Sequence, residues 1–142
     1  MSRQPDCVFC AVIAGEAETE VVFEDEGSLA FLDHRPLFPG HTLLVPREHH
    51  VTIEDLPQEQ VGPLFANARL LAGAVRTAMD AQGTFVAMNN VVSQSIPHLH
   101  VHIVPRRRKD GLRGFFWPRK KYGGPEEMAA AGAAIRAALS QG

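Results

Sequence analysis

The chain lacks the features of a secreted, membrane-spanning or broadly nucleic-acid-binding protein. None of its apolar runs approaches the ~20 residues of a transmembrane helix. Its opening, MSRQPDCVFC, lacks the apolar core of a signal peptide. The formal net charge of −2 provides no general attraction for a polyanion. We therefore expect a cytoplasmic protein with neither a membrane nor a nucleic acid as partner.

Cysteine is scarce as well. Cys7 and Cys10 are the only two cysteines in 142 residues. Their Cys-x-x-Cys spacing is that of half a tetrahedral zinc site. In a reducing compartment such a pair indicates a metal site or a redox dithiol before a structural disulfide. Two unligated thiols are the remaining alternative.

The distribution of apolar residues predicts one α+β domain. Apolar residues at helical spacing predict a long helix over 59–81, and an Ala-rich segment predicts a C-terminal helix over 125–139. A short helix is expected over 8–14, and a turn or short helix over 52–56. Strands are predicted at 20–24, 28–32, 41–45, 84–89 and 98–105. Because strands and helices do not alternate strictly, we predict an antiparallel sheet of about five strands.

The segment SQSIPHLHVHIVP contains three of the seven histidines within five residues. Side chains alternate along a strand, so His98, His100 and His102 are predicted on one face, with imidazoles roughly 6–7 Å apart. The apolar residues between them are predicted to face the core. Three groups that titrate near neutrality on one element indicate proton transfer, nucleophilic attack or metal binding.

Together with FLDHRPLFPGHTLLVPREHH (31–50) and CVFCAVIAGE near the start, this segment resembles the histidine triad (HIT) superfamily, in particular its zinc-carrying bacterial branch. The resemblance spans residues 6–106. We therefore predict a single HIT-like domain over 1–142, in which 107–142 form a C-terminal strap and helix. The resemblance implies a homodimeric nucleotide-binding hydrolase or transferase that acts on the α-phosphate of a purine nucleotide.

By the same resemblance, His100 is the nucleophile and forms a covalent nucleotidyl intermediate. A neutral imidazole is a good nucleophile near pH 7. Its other ring nitrogen must then be held by an acceptor, for which we expect the backbone carbonyl of His98. His102 and His41 are expected beside the phosphate, where protonated rings would offset its charge. Ser95 is expected to donate a proton to the leaving group.

The resemblance also assigns residues to nucleotide binding. A carboxylate suits the ribose diol, and a polar turn suits phosphate because its backbone N–H groups and hydroxyls can donate. The assigned residues are Asp33 for the ribose, Asn89, Ser93 and Gln94 near the phosphate, and Val8, Phe9, Val12 and Phe31 around the base.

For zinc, the resemblance adds His49 and His98 to Cys7 and Cys10. A closed Cys₂His₂ site is structural and not catalytic. It would pin the N-terminal segment to the triad strand and add to folding stability. A different possibility is that the three triad histidines themselves hold a catalytic metal.

Two segments depart from the family pattern. The loop NNVVSQS at 89–95 has no glycine and is about two residues shorter than NNGxxAGQS of many relatives, so we expect Val91 and Val92 to avoid positive φ. In the aromatic segment GFFWPRKKY (114–122), either Trp117, Arg119 or Lys120 reaches the second half of the substrate, or Phe115, Phe116 and Trp117 fill a dimer groove as part of a surface strap. The basic run at 106–109 is either a solvated loop or a contact with an anionic ligand or a partner subunit.

Three functional hypotheses follow. The first is a hydrolase of nucleoside phosphoramidates or acyl-nucleotides. The second is a dinucleoside polyphosphate hydrolase or phosphorylase. The third is a zinc-stabilised, nucleotide-binding scaffold whose catalysis is incidental.

Overall fold

The computed structural model describes residues 3–112 and 119–141. Its elements are α1 (Val8–Ile13), β1 (Val21–Glu24), β2 (Ser28–Leu32), β3 (Thr42–Pro46), a 3-10 helix (Ile53–Asp55), α2 (Gln58–Ala78), β4 (Gly83–Ala87), β5 (Val101–Arg106) and α3 (Pro125–Gln141). They divide into two compact units, Met1–Asp110 and Gly111–Gly142.

The first unit is built on one antiparallel sheet. The strand order is β1-β2-β3-β5-β4, and every neighbouring pair is antiparallel. The predicted α+β class and five-stranded sheet are therefore confirmed. The sheet is central to the site because β3, which His41 directly precedes, is the neighbour of β5, which contains His102.

Alternation along the strands gives the sheet two different apolar faces. One face packs against α2, whereas the other packs against α1. Leu44 belongs to the first face, and its neighbours Leu43 and Val45 belong to the second. His102 is the register partner of Leu43, so its side chain lies on the α1 face. The functional site forms there, away from the long helix.

The main apolar core lies between the sheet and α2. Its fully buried members include the residues that the triad pattern directs inward, and these are Leu99, Val101 and Ile103. Buried α2 residues recur at helical spacing and complete it, namely Leu64, Ala68, Leu71 and Val75. The predicted long helix is thus present. It ends at Ala78 and not at 81, because Asp80 takes the left-handed conformation with φ of 52°.

The predicted strand over 98–105 begins later in the structure. β5 starts at Val101, and the three residues before it are bonded differently. The N–H of Leu99 donates to the carbonyl of His50 at 2.7 Å, and the N–H of His98 donates to the carbonyl of Ile96 at 2.8 Å. Local and loop partners replace the sheet ladder here, so His98 is not part of a row on a regular strand.

A glycine is required immediately before His41. Gly40 has φ of +97°, which side chains rarely tolerate, and a Cβ there would lie 2.5 Å from Cγ of Met79. The backbone can therefore pass close to the end of α2 only at a residue without a side chain. This turn delivers His41 to the start of β3.

The second unit consists of α3 and the chain before it. Glu126 and Glu127 lie in the first turn of the helix, where negative charge is favourable. The N–H of Gly123 donates to the carboxylate of Glu127 at 2.5 Å. Arg119 and Lys120 are exposed, and Trp117 lies outside the described residues.

Among the helices in the described ranges, none has both the length and the apolar character needed to cross a bilayer.

Candidate active site and metal centre

Three of the four residues predicted to be catalytic lie together on the α1 face of the sheet. The ring centroids of His100 and His102 are 4.9 Å apart, and those of His41 and His102 are 5.2 Å apart. His41 and His100 are buried, whereas His102 is half-buried. Ser95, the fourth, is exposed on the loop that precedes this cluster.

The hydrogen bonding of His100 fixes which of its nitrogens is free. Nδ1 lies 2.7 Å from the carbonyl oxygen of His98. A carbonyl can only accept, so Nδ1 carries the hydrogen and Nε2 of the neutral ring keeps its lone pair. The expected acceptor is confirmed. The ring therefore presents a nucleophilic nitrogen.

His102 has the opposite tautomer, which is imposed through His41. The backbone N–H of Leu37 donates to Nδ1 of His41 at 3.1 Å. Neutral His41 must then carry its hydrogen on Nε2, which lies 3.0 Å from Nδ1 of His102. Because that Nδ1 accepts, His102 carries its own hydrogen on Nε2. One ring thus offers a lone pair while its neighbour offers an N–H donor.

Burial keeps these imidazoles neutral in the free protein. Desolvation lowers the pKa of His41 and His100, and it lowers the pKa of His102 to about 4. Asp33 acts in the opposite direction on all three, but its effect is smaller. Protonation of His41 and His102 beside a phosphate stays a prediction, because these pKa shifts belong to the site without a bound anion. The two rings act as polar N–H groups and gain charge only if a bound anion raises their pKa.

Asp33 lies at the edge of this cluster. Its backbone N–H donates to the carbonyl of His41 at 2.9 Å, which closes the connection between β2 and β3. Its carboxylate accepts from the N–H of Arg35 at 2.9 Å and lies 3.8 Å from Nδ1 of His41. One carboxylate oxygen remains for another donor, as the predicted ribose contact requires.

The residues expected around a base divide into buried and exposed ones. Phe9 and Phe31 are buried and meet edge to face, with centroids 5.4 Å apart. Phe9 also packs on His100, with centroids 5.0 Å apart. Val12 is buried, whereas Val8 is 55% exposed. In this structure Phe9 therefore packs against His100, and both phenylalanines belong to the apolar cluster on the α1 face of the sheet.

The loop 89–95 is held by its own polar side chains. The amide of Gln94 donates to the carbonyl of Val51 at 2.6 Å and accepts from the N–H of Val91 at 3.0 Å. Asn89 donates to the carbonyl of Ser93 at 3.2 Å. Gln94 and Asn89 thus shape the loop with the side chains that were assigned to phosphate. None of these three hydrogen bonds involves the backbone N–H of Ser93, which is an exposed residue.

The expectation for Val91 is wrong. Its φ is +71°, which is strained for a β-branched residue, and Ser93 follows at +63°. The bond from Gln94 to the N–H of Val91 holds this conformation. The shortened loop leaves open whether Asn89 or Asn90 has the family role. In the structure Asn90 accepts from the N–H of Ile53 at 2.8 Å and ties the loop to the 3-10 helix.

The four residues predicted as metal ligands lie in one cluster. Each of Cys7, Cys10, His49 and His98 offers one ligand atom, and these atoms all lie within 4.8 Å of one another. Nδ1 of His98 is 3.4 Å from Sγ of Cys7 and 3.6 Å from Sγ of Cys10. Nδ1 of His49 is 3.4 Å from Sγ of Cys10.

The chemistry of this donor set fits a tetrahedral metal ion. Bonds of about 2.3 Å to sulfur and 2.0 Å to nitrogen place tetrahedral ligand atoms roughly 3.3–3.8 Å apart. The three N–S separations of 3.4, 3.4 and 3.6 Å fall in that range. Nε2 of His98 donates to the carbonyl of Pro46 at 2.9 Å, which leaves Nδ1 as the ligand atom. The set is closed by four protein ligands, so it is suited to a structural role.

The alternative of a catalytic metal on the three triad histidines has no support in this arrangement. The ring of His98 belongs to the cysteine cluster, whereas Nδ1 of His100 and Nδ1 of His102 are engaged in hydrogen bonds. Within residues 3–112 and 119–141, three or more potential metal ligands come together at the cluster of Cys7, Cys10, His49 and His98.

Comparison with known proteins agrees with this geometry. A family model described as a HIT domain matches residues 14–109. An uncharacterised HIT-like protein of Mycobacterium tuberculosis is 38% identical over 140 residues, which cover 95% of this chain and 94% of that protein. An adenylylsulfatase of Arabidopsis thaliana is 36% identical over 77% of this chain and 56% of that protein. An adenosine 5'-monophosphoramidase of Schizosaccharomyces pombe is 31% identical over 91% of this chain and 95% of that protein.

Solved structures show the same fold. A HIT family member from Bacillus subtilis superposes with a TM-score of 0.83 at 32% identity, covering 92% of this chain and 95% of that one. A zinc-bound histidine triad protein from Mycobacterium smegmatis superposes with a TM-score of 0.72 at 37% identity, covering 94% of this chain and 97% of that one.

The lowered pKa of half-buried His102 gives a prediction about the stability of the protein. Its pKa falls from the ordinary 6.5 to about 4 in the folded protein, so between these values the unfolded chain binds more protons. Its contribution to stability is complete above about pH 6.5 and is lost as the pH falls towards 4, by at most about 1.4 kcal/mol per pH unit. In His102→Asn we expect a shallower pH dependence of the free energy of unfolding, measured by urea titration.

Exposed His34 provides the matched control. His34→Asn should retain the wild-type pH dependence of the free energy of unfolding. Equal slopes for wild type and His102→Asn would show that His102 is not neutral in the folded protein.

Proposed function

The chain belongs to the HIT family, and on that premise we propose that it is a nucleotide hydrolase or transferase acting at the α-phosphate of a purine nucleotide. The observation that carries the proposal is the pair of opposite tautomers on adjacent rings. His100 offers a lone pair at Nε2, and His102 offers an N–H beside it. Attack on phosphorus needs a nucleophile and a donor for the phosphate oxygens in the same place.

The proposed reaction has two displacements. Nε2 of His100 bonds to the α-phosphorus as the bond from phosphorus to the leaving group breaks. The leaving group takes a proton, for which Ser95 is the proposed donor. Water, or another acceptor, then attacks phosphorus, and the bond to Nε2 breaks to regenerate the neutral ring. The acceptor gives up its proton to Ser95 in this second step, which regenerates the serine hydroxyl for the next cycle.

Around the phosphorus, the other residues supply dipoles. Nε2–H of His102 is proposed to donate to a non-bridging oxygen, with His41 behind it as the partner that keeps the hydrogen there. The backbone N–H groups of Ser93 and Ser95 are proposed to complete the phosphate site, because that of Gln94 already donates to the carbonyl of Val91 at 3.3 Å. Preoriented donors of this kind stabilise developing charge most strongly where water is excluded. Asp33 is proposed to bind the ribose, and Phe9 and Phe31 to lie at the base.

For the substrate, we propose a phosphoramidate or an acyl-type nucleotide. The similarity to an adenosine 5'-monophosphoramidase and to an adenylylsulfatase supports a small leaving group on an adenine nucleotide. Hydrolysis or phosphorolysis of a dinucleoside polyphosphate is the second candidate. It is retained because the loop at 89–95, with its strained Val91, differs from that of many relatives, so a substrate of those relatives does not transfer directly to this chain. A nucleotide-binding scaffold with incidental catalysis is the third.

Zinc is the metal that we propose for the cluster. Two thiolates and two imidazoles are preferred zinc ligands, and a zinc-bound neighbour supports the assignment. When bound, zinc supplies a rigid tetrahedral crosslink. The ligands come from α1 with its N-cap, the segment after β3 and the segment before β5. A cytoplasmic location belongs to the proposal, because two free thiols persist in a reducing compartment.

A homodimer is the proposed assembly, with β4 at its interface. This strand lies at the edge of the sheet and reads GTFVA, so no charge or proline protects it from pairing with another strand. Val86 is 44% exposed there. Pairing with β4 of a second copy would extend the sheet across both protomers.

Replacing the nucleophile tests the chemistry. In His100→Asn we expect turnover of adenosine phosphoramidate to fall by at least about 10³-fold, because a lost nucleophile removes the covalent route. Wild-type protein quenched during turnover of α-phosphate-labelled nucleotide should carry the label on His100, as mapped by mass spectrometry. His34→Asn should react like wild type.

The outcomes separate the hypotheses. Label on another residue, or undiminished turnover in His100→Asn, would refute the proposed mechanism. Products from diadenosine polyphosphates, analysed with and without inorganic phosphate, distinguish the first candidate from the second.

Loss of a metal ligand tests the zinc site. Protein purified without chelator should contain one zinc ion per chain by elemental analysis, and Cys7→Ser should lose it. Because the bound metal stabilises only the folded state, we expect the variant to melt at least about 5 °C lower. Asp6→Asn, next to the ligand and exposed, should retain both zinc and melting temperature. Full zinc content in Cys7→Ser would refute the ligand set.

A charge on the edge strand tests the dimer. Val86→Lys should convert the protein to a monomer in sedimentation velocity experiments, since a lysine at the interface would be desolvated without a partner. Val22→Lys is the matched control, because Val22 is 49% exposed on β1 at the opposite edge. If Val22→Lys is a monomer and Val86→Lys remains a dimer, the interface lies at β1 and the proposed interface at β4 is refuted.

A further inference from the structure

His98 joins the metal cluster to the nucleophile. Its ring presents Nδ1 to the sulfur atoms of Cys7 and Cys10, while its Nε2–H is bonded to the carbonyl of Pro46. Its main-chain carbonyl accepts the hydrogen bond from Nδ1 of His100. The side chain of one fully buried residue is therefore a potential metal ligand, and its backbone determines the tautomer of the proposed nucleophile.

The peptide unit between His98 and Leu99 is held from both sides. Its carbonyl faces His100, and its N–H donates to the carbonyl of His50 at 2.7 Å. His50 directly follows His49, which is another member of the cluster. Because this peptide unit precedes β5, sheet pairing does not fix it. Its orientation depends on two segments that the cluster holds together, namely the segment after β3, which contains His49 and His50, and the segment before β5, which contains His98.

A second contact connects the cluster to the same ring. Phe9 directly precedes Cys10 in α1, and its ring lies edge to face on His98 and on His100, with centroids 5.9 and 5.0 Å apart. A shift of α1 would therefore move a packing partner of the nucleophile. Backbone and side-chain contacts thus lead from the cluster to His100 independently.

We propose that His98 is a positioning residue and that metal binding at the cluster holds the His98–Leu99 peptide unit so that His100 keeps its hydrogen on Nδ1. This inference deepens the proposed function and rests on it, since only a nucleophilic His100 needs a free Nε2. Without the metal, the thiol and imidazole contacts no longer fix the two segments. His100 then loses its acceptor and takes up the other tautomer, in which Nε2 carries hydrogen and cannot attack. A structural metal ion would in this way determine which nitrogen of His100 carries the hydrogen.

The test is the tautomer of His100, observed by long-range proton–nitrogen NMR of nitrogen-15-labelled protein at about pH 8, where histidine is neutral. In zinc-loaded wild type we expect a protonated Nδ1 and a bare Nε2. In zinc-free Cys7→Ser under reducing conditions we expect signals of the Nε2–H tautomer or of exchange between the two. Labelling of His100 by nucleotide should slow roughly tenfold or more, the usual cost of losing such support.

Two controls distinguish positioning from general damage. Asp6→Asn, which retains the ligands, should keep the wild-type tautomer. The amide signals of β2 and β3 should remain native in Cys7→Ser, so that a tautomer change is assigned only in folded protein. Should that variant not fold, His49→Asn removes a ligand from the other segment and carries the same expectation.

A measurement on the loaded wild type needs no variant. With cadmium-113 in place of zinc, scalar coupling should connect the metal to Nδ1 of His98, while His100 shows a protonated Nδ1. Coupling to Nε2 of His98 would overturn the proposal, because it would require the bond to Pro46 to break. An unchanged His100 tautomer in folded, metal-free protein would overturn it as well.

These results are separable from the fate of the proposed function. A metal-dependent tautomer without any nucleotide adduct on His100 would refute the function but leave the coupling intact. An adduct on His100 together with a metal-independent tautomer would refute the coupling alone.

Discussion

The 2.7 Å hydrogen bond from Nδ1 of His100 to the carbonyl of His98 keeps the lone pair of the ring on Nε2. The chemistry proposed for this site depends on that placement, since an imidazole with the opposite tautomer cannot attack phosphorus. The bond is short and buried, so competition from water is weak. The backbone carbonyl of His98 thus selects which ring nitrogen of His100 keeps its lone pair. The surrounding structure must therefore maintain the orientation of that carbonyl.

Burial gives the site its polarity. The α1 face of the sheet combines the apolar second core with three imidazoles, and desolvation lowers the pKa of each ring. Neutral rings are directional: each has one donor and one acceptor. Hydrogen bonds from Leu37 to His41, and from His41 to His102, use that directionality to set a donor beside the lone pair of His100. A cluster of cations could not transmit an orientation in this way.

Much of the fold and of the site was predictable because hydrophobic periodicity and residue spacing are local properties. The sheet, α2 and the inward-facing residues of the triad segment follow from such patterns. In the metal cluster, the spacing indicated the two cysteines and the resemblance added His49 and His98. The start of β5 was not predictable, since Leu99 bonds to His50, which is distant in sequence. Positive φ at Val91 was unexpected because the side chain of Gln94, which the carbonyl of distant Val51 holds in place, accepts from the N–H of Val91 and overrides that residue's own preference.

By itself, the sequence determined which chemical groups are available and how they alternate along each strand, since covalent order and backbone sterics fix these. It also supplied the motif that identifies the family. Only the tertiary structure decided the protonation pattern of His41, His100 and His102, because a tautomer depends on which donor or acceptor faces each nitrogen. Those partners come from the segment that leads into β3, which contains Leu37 and His41, and from the segment before β5, and they meet only when the chain is folded.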